Sequence, residues 1–171
     1  MPSKWYKQQP SNRNFLAPSG FKMELELFAG VDFFCQSANI PDITATVIEY
    51  PTRFRNIPIA AAGGIQYGDL RLKFIIDEDL KNYLTVYNWM RKNNLSEEMD
   101  DKKTPEYSKG ELLILNSNFN PNIIIAYNNL FPVDLSGLTF DVEDTDVEYL
   151  TADVTFKFTD FTFRNRQYKE I

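Results

Sequence analysis

The chain has no histidine. That removes Ser-His-Asp and Cys-His nucleophilic catalysis and any metal site built on imidazole. Cys35 is the only cysteine, so no intrachain disulfide can form. Its place in the apolar run Val31-Asp32-Phe33-Phe34-Cys35 predicts an inert, buried thiol. No stretch approaches the roughly 18 uninterrupted apolar residues of a membrane span. Met1 to Pro10 is polar and lacks the apolar centre of a signal peptide. These absences predict a reducing, aqueous setting, or a particle assembled in one, and no membrane. Positive charge is also short: 18 Lys and Arg stand against 24 Asp and Glu, a net charge of −6. Gripping nucleic acid draws on phosphate neutralisation by cations, so specific DNA or RNA binding is not expected.

The chain is rich in aromatics, with 14 Phe and 9 Tyr among 171 residues. Aromatic and β-branched side chains fit the half-buried surface of a sheet, and the length fits one domain. Residues 1–20 carry no hydrophobic period and read as a flexible N-terminal arm, with Trp5, Tyr6 and Phe15 available for docking. From Phe21 the order begins. Phe21, Met23, Leu25 and Leu27 alternate with Lys22, Glu24 and Glu26, the two-residue period of a half-buried strand. A turn at Ala29-Gly30 and a strand from Val31 to Ala38 predict an antiparallel hairpin.

Residues 40–68 contain Pro41, Pro51, Pro58 and Gly63-Gly64 around two strand-like runs, Ile43 to Tyr50 and Phe54 to Ala60. Proline cannot donate to a sheet ladder, so these runs predict a projecting hairpin rather than central strands. Such an extension has little core of its own and needs a partner surface. Ile43, Val47, Tyr50, Phe54, Ile57, Ile59, Ile65 and Tyr67 are its candidate self-assembly residues.

Alternation resumes from Leu70 to Ile76. Asp77 is then the expected N-cap of a helix, with Glu78 and Asp79 in its first turn and Arg91-Lys92 in its last. Leu80, Tyr83, Leu84, Tyr87 and Met90 recur at helical spacing. A charged loop is expected over Asn93 to Lys109, a strand over Glu111 to Asn116, and a turn over Asn118 to Asn122. Ile123 to Tyr127 leads into Leu130-Phe131-Pro132, and Leu138 to Val142 is a candidate short strand. Tyr149 to Phe163 alternates as one long strand.

Candidate chemistry is thin. Asp141, Glu143, Asp144, Asp146 and Glu148 could offer oxygen ligands to calcium, but they lack the glycine and spaced glutamate of an EF-hand loop. A solvated acidic loop accounts for them. Gly63-Gly64 and Gly68 precede a strand, with no Lys-Ser or Lys-Thr following, so a P-loop fails. Phe156, Phe158, Phe161 and Phe163 have no basic groove beside them, and core packing explains them better than base stacking. No cofactor, metal site or catalytic residue is assigned.

Four features in order carry a family likeness. They are Asn14-Phe15-Leu16-Ala17-Pro18 leading into Phe21-Lys22-Met23, and Phe33-Phe34-Cys35-Gln36-Ser37-Ala38 followed by Asn39-Ile40-Pro41. Then come Ile57-Pro58-Ile59 through Asp69-Leu70-Arg71-Leu72-Lys73-Phe74 with the helix to Trp89-Met90, and Val154-Thr155-Phe156-Lys157-Phe158. In this the chain resembles the tail tube proteins of T-even-like contractile phages. The resemblance implies a mainly β domain over 21–171, an antiparallel barrel or sandwich with one flanking helix. It implies hexameric rings stacked into a virion tube, with residues 40–67 making ring contacts and DNA passing an acidic lumen without adhering. Sheath or baseplate subunits would be further partners, and synthesis would be in the host cytoplasm. The same fold builds tube initiators, terminators and baseplate hub proteins. Outside this family, a ligand-binding β-sandwich and a carboxylate enzyme are the competing classes.

Overall fold

The structure is a computed structural model and describes residues 16–27, 35–95, 105–140 and 149–171. Its strands are β1 (Phe21–Leu25), β2 (Cys35–Ala38), β3 (Ile43–Pro51), β4 (Asn56–Tyr67), β5 (Leu70–Ile75), β6 (Ser108–Leu115), β7 (Pro121–Leu135), β8 (Thr151–Lys157) and β9 (Asp160–Asn165). One helix, α1 (Lys81–Asn94), follows β5. All pairings between strands are antiparallel. The described residues are mainly β with one helix, as alternation and helical spacing predicted.

The organising element is β7. Its first part pairs with β6 on one side and β9 on the other, and its last part pairs with β8. It therefore belongs to two four-stranded halves, ordered β1-β6-β7-β9 and β2-β5-β8-β7. The turn from one half to the other falls at Asn129, whose backbone is left-handed (φ 53°). Strands that change sheets do so at such bends. Opposite this corner β8 gives way to β9. Thr159 N–H donates to Asn128 O at 3.0 Å, and Asn129 Nδ2 donates to Thr159 Oγ1 at 3.2 Å. Pro132 is tolerated in β7 because its stretch has a ladder partner on only one side. The described strand order leaves β1 and β2 as borders, so the halves form a sandwich rather than a closed barrel.

The core lies between the halves. Met23 and Leu25 point inward from β1, Leu70, Leu72 and Phe74 from β5, and Ala152, Val154 and Phe156 from β8. Tyr127 sits at its centre, with ring centroids 5.2 Å from Phe158 and 5.7 Å from Phe161. Its hydroxyl is buried and meets no hydrogen-bond partner among the described residues, and burial pushes the phenol well above its ordinary pKa. Tyr127→Phe removes that unsatisfied oxygen and keeps the ring. Denaturant unfolding should show stability unchanged or raised by about 1 kcal/mol; a clear loss would reveal a partner for the hydroxyl.

Three expectations about the strands need correction. The residues of β1 and β2 do not form a hairpin: β1 pairs with β6 and β2 with β5, in opposite halves. The expected turn at Ala29-Gly30 and the start of the following strand lie outside the described residues. Tyr149 to Phe163 is two strands, and the sequence marks the corner: the apolar alternation that ends at Phe158 resumes out of phase at Phe161, after Thr159-Asp160. Leu138 to Phe140 is not a strand, and the rest of that candidate is not described.

The helix differs in both its start and its face. It begins at Lys81 after Leu80, which is left-handed (φ 56°), and no acidic residue lies in its first turn. Glu78 and Asp79 form a separate turn, while Asp77 Oδ1 accepts a 3.4 Å bond from Asn82 N–H. Arg91 and Lys92 occupy the last turn as expected. The buried stripe is Asn82, Val86 and Trp89, and Leu84 and Tyr87 are exposed. Polar Asn82 is inside because its Nδ2 donates to Ile75 O at 2.8 Å, fixing the helix to the end of β5. Trp89 Nε1 likewise donates to Glu106 O at 2.8 Å.

Candidate assembly surface

Residues 39–69 leave the sandwich and return to it as a two-stranded sheet of their own, β3 with β4. Its root is gripped. Asn39 Oδ1 accepts from Arg71 N–H at 2.6 Å, Asn39 Nδ2 donates to Asp69 O at 3.0 Å, and Gly68 N–H donates to Asp42 O at 2.8 Å. Lys157 pairs with Asp69 at 2.7 Å. Tyr67 is packed into this root, its ring 5.2 Å from Phe161 and 5.8 Å from Phe158.

Beyond the root, nothing among the described residues covers the hairpin: every residue of β3 is exposed. Directly opposed residues of an antiparallel pair share a face. The register sets Ile48 against Ile59 and Tyr50 against Ile57, so these four form one apolar face. Each is exposed, Ile48 at 57 % and Tyr50 at 60 %. The opposite face carries Glu49 against Pro58 and Pro51 against Asn56, with Asn56 Nδ2 donating to Glu49 Oε2 at 3.0 Å. One face of the hairpin is thus wholly apolar, the other mixes Val47, Pro51 and Pro58 with Glu49 and Asn56, and both are turned to solvent.

The predicted residues distribute unevenly over this arrangement. Tyr50, Ile57 and Ile59 lie on the apolar face, and Ile48 completes it. Val47 opposes Ala60 on the other face, and Phe54 sits 92 % exposed in the turn at the tip, beneath the Arg53 guanidinium at 5.9 Å. Ile43 opposes Tyr67, and Ile65 opposes Ala45 nearer the root. Between these two stretches Thr46 faces residues 61–64, a bulge that ends at Gly64 with φ 94°. Glycine adopts that conformation without the steric cost other residues bear. Ile48 was missed because selecting apolar residues strand by strand ignores which positions oppose each other. The period of two, applied to both strands with the register fixed at the tip, finds it.

Cys35 is half-buried on the border strand β2, and burial pushes its thiol up to about 11. Such a thiol is almost entirely protonated near neutrality and a poor nucleophile. Among the described residues no three His, Cys, Asp or Glu side chains converge as a metal site would require. The acidic run from Asp141 to Glu148 lies outside the described residues.

Three comparisons bear on this geometry. The sequence profile of the family described as phage tail tube protein matches residues 6–164. The tail tube terminator protein of Enterobacteria phage T4 is 31 % identical over 133 residues, which is 74 % of this chain and 74 % of that protein. Among solved structures, a chain of the tube-terminating cap of the anti-feeding prophage superposes with a TM-score of 0.67 at 18 % identity, over 95 % of this chain and 99 % of its own. A chain of the sheath/tube terminator of the PVC extracellular contractile injection system gives 0.64 at 16 % identity, over 90 % and 99 %. At those identities the two structures speak to the fold.

Proposed function

This chain belongs to the phage tail tube protein family, and from that premise we propose that it forms the ring that terminates the tube of a contractile tail. It is a structural subunit that works by assembly rather than by chemistry. The observation that carries the reading is the apolar hairpin face of Ile48, Tyr50, Ile57 and Ile59, which the described residues leave uncovered. A ring closes through heterologous contacts, in which one patch of a subunit meets a different patch of the next. A projecting hairpin with one wholly apolar face supplies such a patch, and a hexameric ring of these chains is the proposed state.

The sequence allowed both a repeating tube subunit and a minor component of the same fold. The 31 % identity to a tail tube terminator favours the second. In that position the ring would touch the last tube subunits on one side and other tail proteins on the other. DNA would pass through it without adhering, which a net charge of −6 favours by repelling phosphates. Assembly in the host cytoplasm and residence in the virion complete the proposal.

Copy number separates the two roles. Quantitative mass spectrometry of purified particles should find one ring's worth of this chain, far below the repeating tube protein. Abundance equal to that of a protein repeated along the tube would assign it there instead.

A further inference from the structure

The half ordered β1-β6-β7-β9 has two faces, and the core uses one of them. Directly opposed residues share a face, so the register fixes the second face row by row. Lys22, Leu113, Ile124 and Arg164 form one row, and Glu24, Glu111, Ala126 and Thr162 the next. An antiparallel sheet commonly leaves its second face to water. This one does not. Leu113 is 8 % exposed, Ile124 2 % and Ala126 4 %, yet these three stand apart from the core that holds the other described buried apolar residues. Thr162 Oγ1, on the same face, is buried and meets no hydrogen-bond partner among the described residues. Buried polar atoms are rarely left so.

The described elements offer this face no cover. Helix α1 sends Val86 and Trp89 into the core, and the hairpin stands off as a sheet of its own. Outside the strands, Leu16, Phe119, Tyr149, Tyr168 and Ile171 are all exposed. Four segments lie beyond the described residues: 1–15, 28–34, 96–104 and 141–148. Connection and charge choose among them. Residues 28–34 join β1 to β2 and so must run from one half to the other. Beside the apolar patch lies a cavity of about 360 Å³ lined by Leu25, Glu24, Glu26 and Glu111, with Lys109. Such a lining repels residues 141–148, which hold Asp141, Glu143, Asp144, Asp146 and Glu148 and no base. Residues 96–104 set Glu97, Glu98, Asp100 and Asp101 against Lys102 and Lys103.

Residues 1–15 have the complementary chemistry: Lys4, Lys7 and Arg13 with no acid, and the aromatics Trp5, Tyr6 and Phe15. They also enter at the right border. Residue 16 leads into β1, and Gly20 O accepts from Leu115 N–H at 2.8 Å, fixing the arm's root to the end of β6. Fifteen extended residues reach about 50 Å, whereas four strands are only about 15 Å across. Glu24 already pairs with Lys22 at 2.7 Å and Glu111 with Arg164 at 3.7 Å, but a carboxylate has lone pairs for a second donor. We infer that the N-terminal arm folds back over this face of its own chain. Trp5 and Tyr6 lie on Leu113 and Ile124, and Lys4 and Lys7 lie beside Glu24, Glu26 and Glu111. The amides of Gln8 and Gln9 are donors for Thr162. The arm is thus part of the folded body and closes this face to neighbours, whether or not the chains form a ring.

A water-soluble carbodiimide tests this on the full-length, unaltered chain, since it joins an amine to a carboxylate only where the two already touch. An equal mixture of heavy-isotope and unlabelled protein is treated, digested and read by mass spectrometry. Lys157 and Asp69, 2.7 Å apart, supply the positive control. Links from Lys4 or Lys7 to Glu24, Glu26 or Glu111 should appear, each within one isotope composition. The control link without these overturns the proposal. Links between heavy and unlabelled peptides overturn it in favour of an arm supplied by another copy. For the apolar half of the contact, Trp5→Ala combined with Tyr6→Ala should lower the melting temperature by several degrees. An unchanged melting temperature would take the two rings off Leu113 and Ile124.

Discussion

Ile48→Asp combined with Ile59→Asp leaves a folded chain that no longer assembles. The two side chains oppose each other on the hairpin and are already in solvent. Surface substitutions of this kind usually change stability by no more than about 0.5 kcal/mol each. The cost falls on association. Each isoleucine buried at a neighbour contributes about 1.5–3 kcal/mol, and an unpaired carboxylate forced into that contact adds its own desolvation penalty. With a factor of ten for each 1.4 kcal/mol, affinity between copies should fall by roughly 10²–10⁴ or more. Light scattering across a concentration series should report monomer at an unchanged melting temperature, under conditions where the parent is proposed to form rings. Val47→Asp, on the opposite face against Ala60, should have the smaller effect. Rings that survive the double substitution would remove the hairpin face from the interface.

Phe156→Ala acts on the other half of the problem, the stability of one subunit. Its ring is fully buried, opposes Leu70 and Pro132 across β5 and β7, and lies 6.0 Å from the indole of Trp89. It therefore joins three strands and the helix at one point. Truncating a buried phenylalanine costs about 3–5 kcal/mol, a large part of the 5–15 kcal/mol that holds a typical domain. The melting temperature should drop by roughly 10 °C or more for a chain of this size. Phe163, in the same aromatic strip but 40 % exposed at the end of β9, should tolerate alanine within about 1 kcal/mol. Equal losses at the two positions would mean the strip is buried along its length.

That strip illustrates what sequence can resolve. Alternation identified Phe156 as a core residue because period two is a local property of a strand. The same pattern marks the corner, since the apolar period slips from two to three between Phe158 and Phe161, while the residues that hold the corner, Asn128 and Asn129 of β7, are distant in the chain. Pairing has the same limit. Phe21 to Leu25 reads as a strand from its own pattern, but its partner β6 lies some ninety positions on, and proximity in sequence favours the wrong neighbour. The helix face failed for a chemical reason. Ranking by hydrophobicity puts Leu84 and Tyr87 inside, whereas Asn82 takes that place by bonding to the carbonyl of Ile75. The hairpin was legible because proline carries its positional meaning without tertiary context. Its apolar face needed the register as well.

The placement of β8 has a consequence for how the chain is made. β8 lies between β5 and β7 and begins only at Thr151. Until that segment has left the ribosome, β5 and the last part of β7 have no strand between them. Cotranslational folding can complete neither half, because β9 also arrives late and closes the flank of β7. Polypeptides halted before this point retain the hairpin sequence without a body to carry it, and are candidates for proteolytic clearance.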